Sequence, residues 1–536
     1  MLSSKFFVIT PFLQAAFASA FAQGNASVDA LRSCVTDVLG ETAPHRIVVG
    51  SDDTYTDARL GETIQFKNYP TMIAYAETAA EVQGLVKCAK SVNRKAVPRS
   101  GGHHFLGHSA LNESLVVDIT HIDHVHASDD LETVHVGAGI RLGALYTALD
   151  LHNKTFAGGI CPTVGLTGFL GSGGFTLQMR ALGLGVDQVV AAKVVTAEGE
   201  VVTASKKSNP DLFWAIRGGG GGTYGIVVEW TLKTTEFPRS AMLLMNWNGT
   251  DTRYPVAKRF LDWGPIAPKE FTSQVNVYKS QVQILGWYLG GTASELRALV
   301  QGSGLLEIGH PQVIIDDGCN TDNARIFGTV VDKCLPDDQL EQYRSILNPV
   351  QQAFGPFGNY TQFKYKESPQ DASLAVADPW PRFRRQSKSF FVQKEKPLDA
   401  DTLKEVVKRI GELDEASQIW GEWHAWNLSS ATTDSSFPWA AKAQAHLEFQ
   451  VHGSEDPSVQ KTYDQWFADL EGLLRPAVGP ASYTGYVDDT ISTNPLTSYF
   501  GDNICKLISI KQKWDPNDFF TNPLSVPPTV PEGIEC

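Results

Sequence analysis

The sequence predicts an α+β protein of two domains: a first that grips a ligand with glycine-rich loops, and a second of strands with helices covering one face. Three observations carry this. At 536 residues the chain exceeds what one simple core supports. Helix-like and strand-like segments alternate without a regular βαβ rhythm. Three glycine-rich loops are confined to the region before about residue 240, and long alternating stretches follow it.

The first elements concern targeting. Lys5 precedes the apolar run Phe6-Phe7-Val8-Ile9, and Ala20-Phe21-Ala22 forms a small-x-small cleavage site, so residues 1–22 read as a signal peptide of a secreted protein. Sequons at Asn25, Asn112, Asn153, Asn248, Asn359 and Asn427 fit that reading. Seven cysteines leave one thiol over in an oxidising compartment. If Cys161 carries a cofactor, six remain. Proximity in sequence favours Cys319–Cys334 and Cys505–Cys536, which leaves Cys34 with Cys88, although spacing alone does not fix the pairing.

In the first domain, Val82, Leu85, Val86 and Ala89 recur at helical spacing over residues 81–90. Lys95–Pro98 reads as a strand leading into the loop Arg99-Ser100-Gly101-Gly102-His103-His104. Leu115–Asp118 and Thr133–Val136 read as strands, and Ile140–Leu151 as a helix. The second glycine run is Gly158-Gly159-Ile160-Cys161-Pro162-Thr163-Val164-Gly165, continuing to Gly171-Ser172-Gly173-Gly174. Lys193–Val202 reads as a hairpin turning at Glu198-Gly199. The third loop, Arg217–Gly225, lies between the apolar segments Phe213–Ile216 and Ile226–Val228, so it belongs to ordered structure.

In the second domain, Ser273–Tyr278 and Ala445–Val451 alternate as strands, and Leu403–Leu413 reads as a covering helix. Trp420, Trp423 and Trp426 cannot all face one way on a strand, because a spacing of three alternates faces. One or two of them could stack on a sugar ring with Glu422 or His424 binding hydroxyls; core packing accounts for at least two. The net charge of −14 argues against nucleic-acid or anionic-membrane partners.

Paired glycine loops let backbone come close to a ligand and turn N–H groups toward an anion. With His103 and Cys161 beside them, they suggest one bulky phosphate-containing cofactor bonded to both side chains. No loop carries the G-K-[ST] of a Walker site, and none is a good Rossmann fingerprint. The dinucleotide site is of another design.

The pattern resembles the berberine bridge enzyme-like branch of the vanillyl-alcohol oxidase flavoproteins. The resemblance is carried by Arg99–His103, Gly159–Gly165, Gly183-Leu184-Gly185-Val186-Asp187, Asn209–Ala215, the run ending Tyr224-Gly225-Ile226-Val227, Tyr483–Asp488 and Trp514–Pro528. It implies a PCMH-type FAD-binding domain over residues 34–237, a substrate-binding domain with an antiparallel sheet over 238–480, and a C-terminal segment, 481–536, completing the first. It implies a bicovalent FAD, with His103 bonding the flavin 8α carbon and Cys161 bonding C6. Arg99, Ser100, Gly101, Gly102, Gly107, Val164, Gly165, Gly168, Gly173, Gly174, Asp187, Gly225, Ile226 and Val227 are the further cofactor residues it implies. His104 is read as a structural loop residue.

For catalysis the resemblance points to Tyr486 as the base of many sugar-oxidising relatives and to Glu448 at the position of the berberine bridge enzymes' glutamate. A tyrosine near its reference pKa of about 10 would need a cation or hydrogen bonds to lower it, and a glutamate near about 4.3 would need burial to raise it. Three departures stand out: Thr167-Gly168-Phe169 for Gly-Gly-His, Gly485 for Asn in Tyr-x-Asn-Tyr, and Phe437-Pro438-Trp439-Ala440 for Phe-Pro-His-Arg. The expectation is a secreted monomeric FAD oxidase without a metal. It acts on a small-molecule or oligosaccharide substrate, foremost a carbohydrate oxidised at C1 to a lactone, with oxidation of a secondary metabolite or other alcohol as the alternative and a non-catalytic binding protein as a distant one. In the family, valine at the Val164 position accompanies oxidases, so dioxygen is the expected acceptor.

Overall fold

The structure is a computed structural model that describes residues 26–150, 152–161, 163–236, 240–316, 382, 384–428 and 434–536. The expected leader, the sequons at Asn25 and Asn359, and Cys319 and Cys334 lie outside the described residues.

The first domain contains two sheets. One holds β1 (Ile47–Val49), β2 (Met72–Tyr75), β3 (Ala96–Arg99) and β4 (Leu115–Asp118) in the order β1-β2-β4-β3, with β2, β4 and β3 parallel. All four residues of β2 and of β4 are buried, as continuous apolar runs in parallel sheets require. The helix Ala79–Ser91 packs on this sheet through Val82, Leu85, Val86 and Ala89, and a capping box between Thr78 and Glu81 fixes its start. The second sheet holds β5 (Val125–Ala127), β6 (Thr133–Gly137), β8 (Val189–Val195), β9 (Val201–Ser205) and β10 (Ile226–Lys233) in the order β5-β6-β10-β8-β9, all antiparallel. A short ribbon pairs β7 (Lys154–Thr155) with β11 (Thr235–Glu236).

The second domain is built on one seven-stranded antiparallel sheet. Its strands are β12 (Ser240–Asn248), β13 (Phe271–Tyr278), β14 (Gln281–Leu289), β15 (Gln312–Asp316), β16 (Arg385–Gln393), β17 (Trp420–Ala425) and β18 (Ala443–His452), in the order β15-β12-β14-β13-β17-β18-β16. One face is apolar. Val275, Val277, Trp423, Leu447, Phe449 and Phe390 join a core with the helices Arg253–Trp263, Ala400–Ile410 and Pro457–Val478. The helix Ala400–Ile410 buries Leu403, Val406, Val407 and Ile410, the stripe that the sequence shows.

The opposite face is polar and also buried: Gln274, Asn276, Gln283, Ser387, Ser389, His424, His446, Glu448 and Gln450. Strand alternation puts these side chains on one side, and the pairings Glu422 with Glu448, His424 with His446 and Gln274 with His424 align them in rows. A buried polar face needs partners, and it lies toward the glycine loops.

The C-terminal segment returns to the first domain. Lys511, in the helix Ile504–Trp514, donates to the carbonyls of Thr223 and Phe520 at 2.8 and 2.7 Å and pairs with Asp515 at 2.7 Å. The third glycine loop is thereby clipped to the tail. Disulfides join Cys34 to Cys88 and Cys505 to Cys536, and Cys161 is free. Among the described residues no helix is long and apolar enough to cross a membrane.

Candidate active site

One groove runs between the glycine loops and the polar face of the large sheet, with ≈ 1850 Å³ of space free of protein atoms, open solvent at its mouth included. Its shape starts with two glycines. A Cβ on Gly101 would sit 2.2 Å from the Gly165 nitrogen, and one on Gly165 would sit 2.3 Å from the Gly101 nitrogen. The first and second loops therefore interlock backbone to backbone. Ser100 Oγ and Thr167 Oγ1 both donate to the Ala138 carbonyl, at 3.1 and 2.6 Å, which fixes the pair on the end of β6. Gly168 has nothing within 4 Å of a would-be Cβ and faces the open groove.

Ser100, Gly101, Gly102, His103, Cys161, Val164, Gly165, Gly168, Gly225, Ile226, Val227 and Tyr486 line this groove together. Five residues expected to touch the cofactor do not line it. Arg99 is buried in a pair with Asp118 on the neighbouring strand and donates to the Ala58 carbonyl at 2.5 Å. Gly107 packs against Phe66, Gly173 against Phe437 and Gly174 against Phe169. Asp187 accepts from the Leu184 N–H at 3.0 Å and closes a local turn. Each serves the loops' packing, which makes glycine or a small acid as necessary there as ligand contact would. His104 reaches the groove wall, but its Nδ1 accepts from the N–H groups of Leu106 and His108 at 3.2 and 3.4 Å, and burial lowers its pKa to about 3.

The sheet contributes the far wall through Gln274, Arg385, Glu422, His424 and Gln450. Glu448 lies just behind, fully buried, with Oε1 accepting from Ser387 Oγ at 2.9 Å and Gln450 Nε2 at 2.7 Å. Burial raises its pKa well above the carboxylate range, and the neighbouring Glu422 adds to the rise. Burial holds Glu422 up at about 7. Tyr486 is raised as well, by burial and then by Glu448 and Glu422. The lowering that a tyrosinate base would need is absent. The one Arg or Lys among the described groove residues, Arg385, is engaged by Glu62 at 2.7 Å. Cys161 opens onto the groove, and its thiol is pushed up to about 12 by burial and by Glu422.

The three tryptophans are core residues: Trp423 and Trp426 are fully buried and Trp420 packs with Tyr278. None lines the groove, whereas Glu422 and His424 between them do. Phe175 occupies the middle of the groove wall, with its centroid 4.9 Å from those of His424 and Tyr483 and 5.7 Å from that of Tyr486. Arg385, Gln274 and Gln450 were not singled out from the sequence. The signal for Gln450 was available, since it stands two residues after Glu448 on the same strand face.

The groove suits a flavin dinucleotide: bare backbone at the interlocked loops for close approach, an elongated space, and a histidine and a cysteine in one wall. Fold and groove thus define an FAD-binding oxidoreductase. Comparison with known proteins agrees. Residues 70–205 match the FAD binding domain family, and residues 482–527 match the family described as berberine and berberine like. The chain is 55% identical, over 100% of both chains, to the FAD-linked oxidoreductase pynB of Aspergillus niger. It is 27% identical to a carbohydrate oxidase of Microdochium nivale, over 96% of this chain and 100% of that one. The structure of Physcomitrella patens BBE-like 1 superposes with a TM-score of 0.79 at 24% identity, covering 93% of this chain and 99% of that one. The chain belongs to the berberine bridge enzyme-like family of FAD-linked oxidoreductases.

Proposed function

We propose that the protein oxidises a CH–OH carbon of a small secondary metabolite or similar alcohol, using FAD attached at both His103 and Cys161 and dioxygen as the acceptor. The bound flavin supplies the hydride acceptor at N5. The chain's own residues bind the substrate between the loops and the sheet, exclude water, and take the hydroxyl proton. We assign the handling of that proton to Tyr486 and to the carboxyl cluster that contains Glu448. With its pKa raised, Tyr486 stays a phenol and holds the substrate oxygen by donation, while the proton passes into the carboxyl cluster behind it.

The observation that carries the substrate class is the groove surface. Its middle is ringed by Phe175, Tyr483, Tyr486 and His424, and among the described residues no indole face is offered to a pyranose. Oxidation of a carbohydrate at C1 is the second reading, favoured by the full-length likeness to a carbohydrate oxidase. Extracellular, monomeric action is part of the proposal. Two disulfides support it, and so do the exposed sequon residues Asn112, Asn153 and Asn248. At Asn427 the amide nitrogen is occupied in donating to the Pro265 carbonyl at 2.8 Å.

The test is anaerobic bleaching of the flavin with a panel of aryl, allylic and aliphatic alcohols alongside mono- and oligosaccharides. Fast bleaching by sugars alone would move the assignment to carbohydrate. Acid precipitation tests the tethers: colour stays in the pellet of the unmodified protein and of each single variant, His103→Ala or Cys161→Ala, and leaves with the double variant.

A further inference from the structure

Glu422 and Glu448 face each other directly across the β17–β18 pairing and project from the same side of the sheet. Opposed residues on neighbouring strands hold their Cβ atoms about 5 Å apart, where like charges are unfavourable even in water. Here the pair sits under the groove, with Glu448 wholly buried. Two carboxylates in such a place do not both ionise, so they share one proton.

The surroundings decide which carboxyl keeps it. Ser387 Oγ and Gln450 Nε2 both donate to Glu448 Oε1, and the Tyr486 hydroxyl is a further, weaker donor to this carboxyl. Its Oε2 is buried with no hydrogen-bond partner. A bare carboxylate oxygen there is costly, whereas a carboxyl O–H at that atom becomes a donor toward its neighbours. Glu422 differs in each respect. It lines the groove, its side chain keeps 17% exposure, and His424 Nε2 stands 3.5 Å from its Oε1. The groove's guanidinium, Arg385, favours the ionised form of both carboxyls; on Glu422 it is the largest influence after burial, and on Glu448 it ranks behind burial, Glu422 and the Ser387 hydrogen bond. His424 is neutral, because burial lowers its pKa to about 3, so its Nε2–H serves as a donor.

We propose that Glu422 is the ionised member of a proton-sharing pair and is the catalytic base, while Glu448 stays protonated as its partner. This rests on the oxidase reading above and names the atom group that executes it. The substrate O–H bond breaks and its proton goes to the Glu422 carboxylate. The C–H bond breaks with its electron pair going to the flavin as hydride, and the carbonyl C=O forms. Glu422 returns its proton to solvent through the groove, and dioxygen takes the two electrons from the flavin.

The groups facing the pair are Tyr486 from the C-terminal segment, Cys161 from the second loop, Glu62 from the first domain, His424 and His446 on the sheet, and Arg385 on β16. Of these, His424 and His446 are neutral at working pH, Tyr486 is held protonated, and Cys161, once bonded to the flavin, carries no titrating thiol. Glu422, at about 7, is left to titrate near neutrality.

The experiment has two arms on the flavin-loaded protein. The first needs no substrate: the flavin absorbance spectrum is titrated from pH 5 to 9. A spectral step near 7 is expected in the unmodified protein and in Glu448→Gln, and its loss in Glu422→Gln. The second follows anaerobic flavin reduction by the best alcohol of the panel. Glu422→Gln is expected to slow it on the order of 10²–10⁴-fold and to flatten the pH profile near 7. Glu448→Gln slows it less and keeps the profile. Retention of the step and the profile in Glu422→Gln, or their loss in Glu448→Gln alone, overturns the proposal. If no alcohol or sugar bleaches the flavin, the oxidase reading fails, while the first arm still decides the proton pair.

Discussion

Replacing Gly101 by alanine tests the interlocked loops most directly. The new Cβ would lie 2.2 Å from the Gly165 nitrogen and 2.7 Å from its Cα. Unstrained contacts of this kind sit at about 3.5–4.0 Å, so the loops must part by roughly 1 Å or more. Both are backbone, and each is tied elsewhere: the first to Ala138 through Ser100, the second to Arg141, whose Nη1 donates to the Thr163 carbonyl at 2.9 Å. Overpacking of this kind costs about 1–3 kcal/mol, or roughly 2–4 °C in Tm for each kcal/mol in a domain of this size. Gly168→Ala is the control with opposite sign. Its methyl meets nothing within 4 Å of protein and lies in the helix Leu166–Gly171, where alanine gains about 0.5–1 kcal/mol, yet it projects into the groove. Thermal unfolding and the flavin-to-protein absorbance ratio read both effects. Gly101→Ala should lose stability and flavin together; Gly168→Ala should lose flavin while its flavin-free form melts no lower than the unmodified one. A fully yellow Gly101→Ala protein with unchanged melting would refute the reasoning.

Tyr486→Phe keeps the ring and removes the donor, and the rate of anaerobic flavin reduction should fall by roughly 10²–10⁴ in stopped-flow measurements. Val164→Leu adds a methylene to the groove wall and should slow flavin reoxidation in aerated buffer without slowing reduction to the same degree. Removing Cys34–Cys88, with a sequence separation of 54, should cost about 4 kcal/mol of unfolding free energy by the loop-entropy relation, measured by denaturant titration of Cys34→Ala/Cys88→Ala. Stability should also fall in acid. His104 and His424 have folded pKa values of about 3, below the unfolded value of about 6.5. The unfolded chain therefore binds more protons between those limits, and stability is lost as pH drops from 6.5 toward 3, by up to about 1.4 kcal/mol per histidine per pH unit. Melting temperatures across that range check it.

Local elements were legible because their signals are local. The helix over 79–91 has its capping box and its stripe in one stretch, and the hairpin at Gly199 has its turn residue. The groove's loop wall was legible for the same reason: Ser100–His103 and Cys161–Gly168 each form one motif. Motif membership misled where glycine serves packing, as at Gly107, whose φ of +67° and contact with Phe66 demand it without any ligand. The sheet wall was legible in part. Glu422 and His424 stood out between the tryptophans of one strand, and Glu448 through the family resemblance. Arg385 did not, because nothing near it in sequence announces its partners. Glu62 grips its side chain and Gln65 bonds its backbone N–H and carbonyl, from more than three hundred residues away.

The two faces of the seven-stranded sheet explain why its strands alternate so regularly and why both kinds of residue are buried. The apolar face, with Trp423, Leu447 and Phe449, removes surface from water against the covering helices and holds the sheet together. The polar face contributes nothing of that kind. Gln274 Oε1, Gln450 Oε1, Glu448 Oε2 and His424 Nδ1 are buried without a hydrogen-bond partner, at about 1–3 kcal/mol for each group left unsatisfied. A sheet optimised for stability alone would carry valine or leucine there. The strain is tolerable because the opposite face is well packed, and it is relieved when a ligand brings donors into the groove. Three of the four atoms are oxygens, and neutral His424, donating through Nε2, presents Nδ1 as an acceptor too. With Glu448 protonated, as proposed above, its Oε2 turns from acceptor to donor and leaves this set. On the proposed function, the remaining acceptors, on Gln274, Gln450 and His424, suit substrates that bear hydroxyl or N–H groups on the side facing the sheet, with the ring of Phe175 beside their apolar carbon.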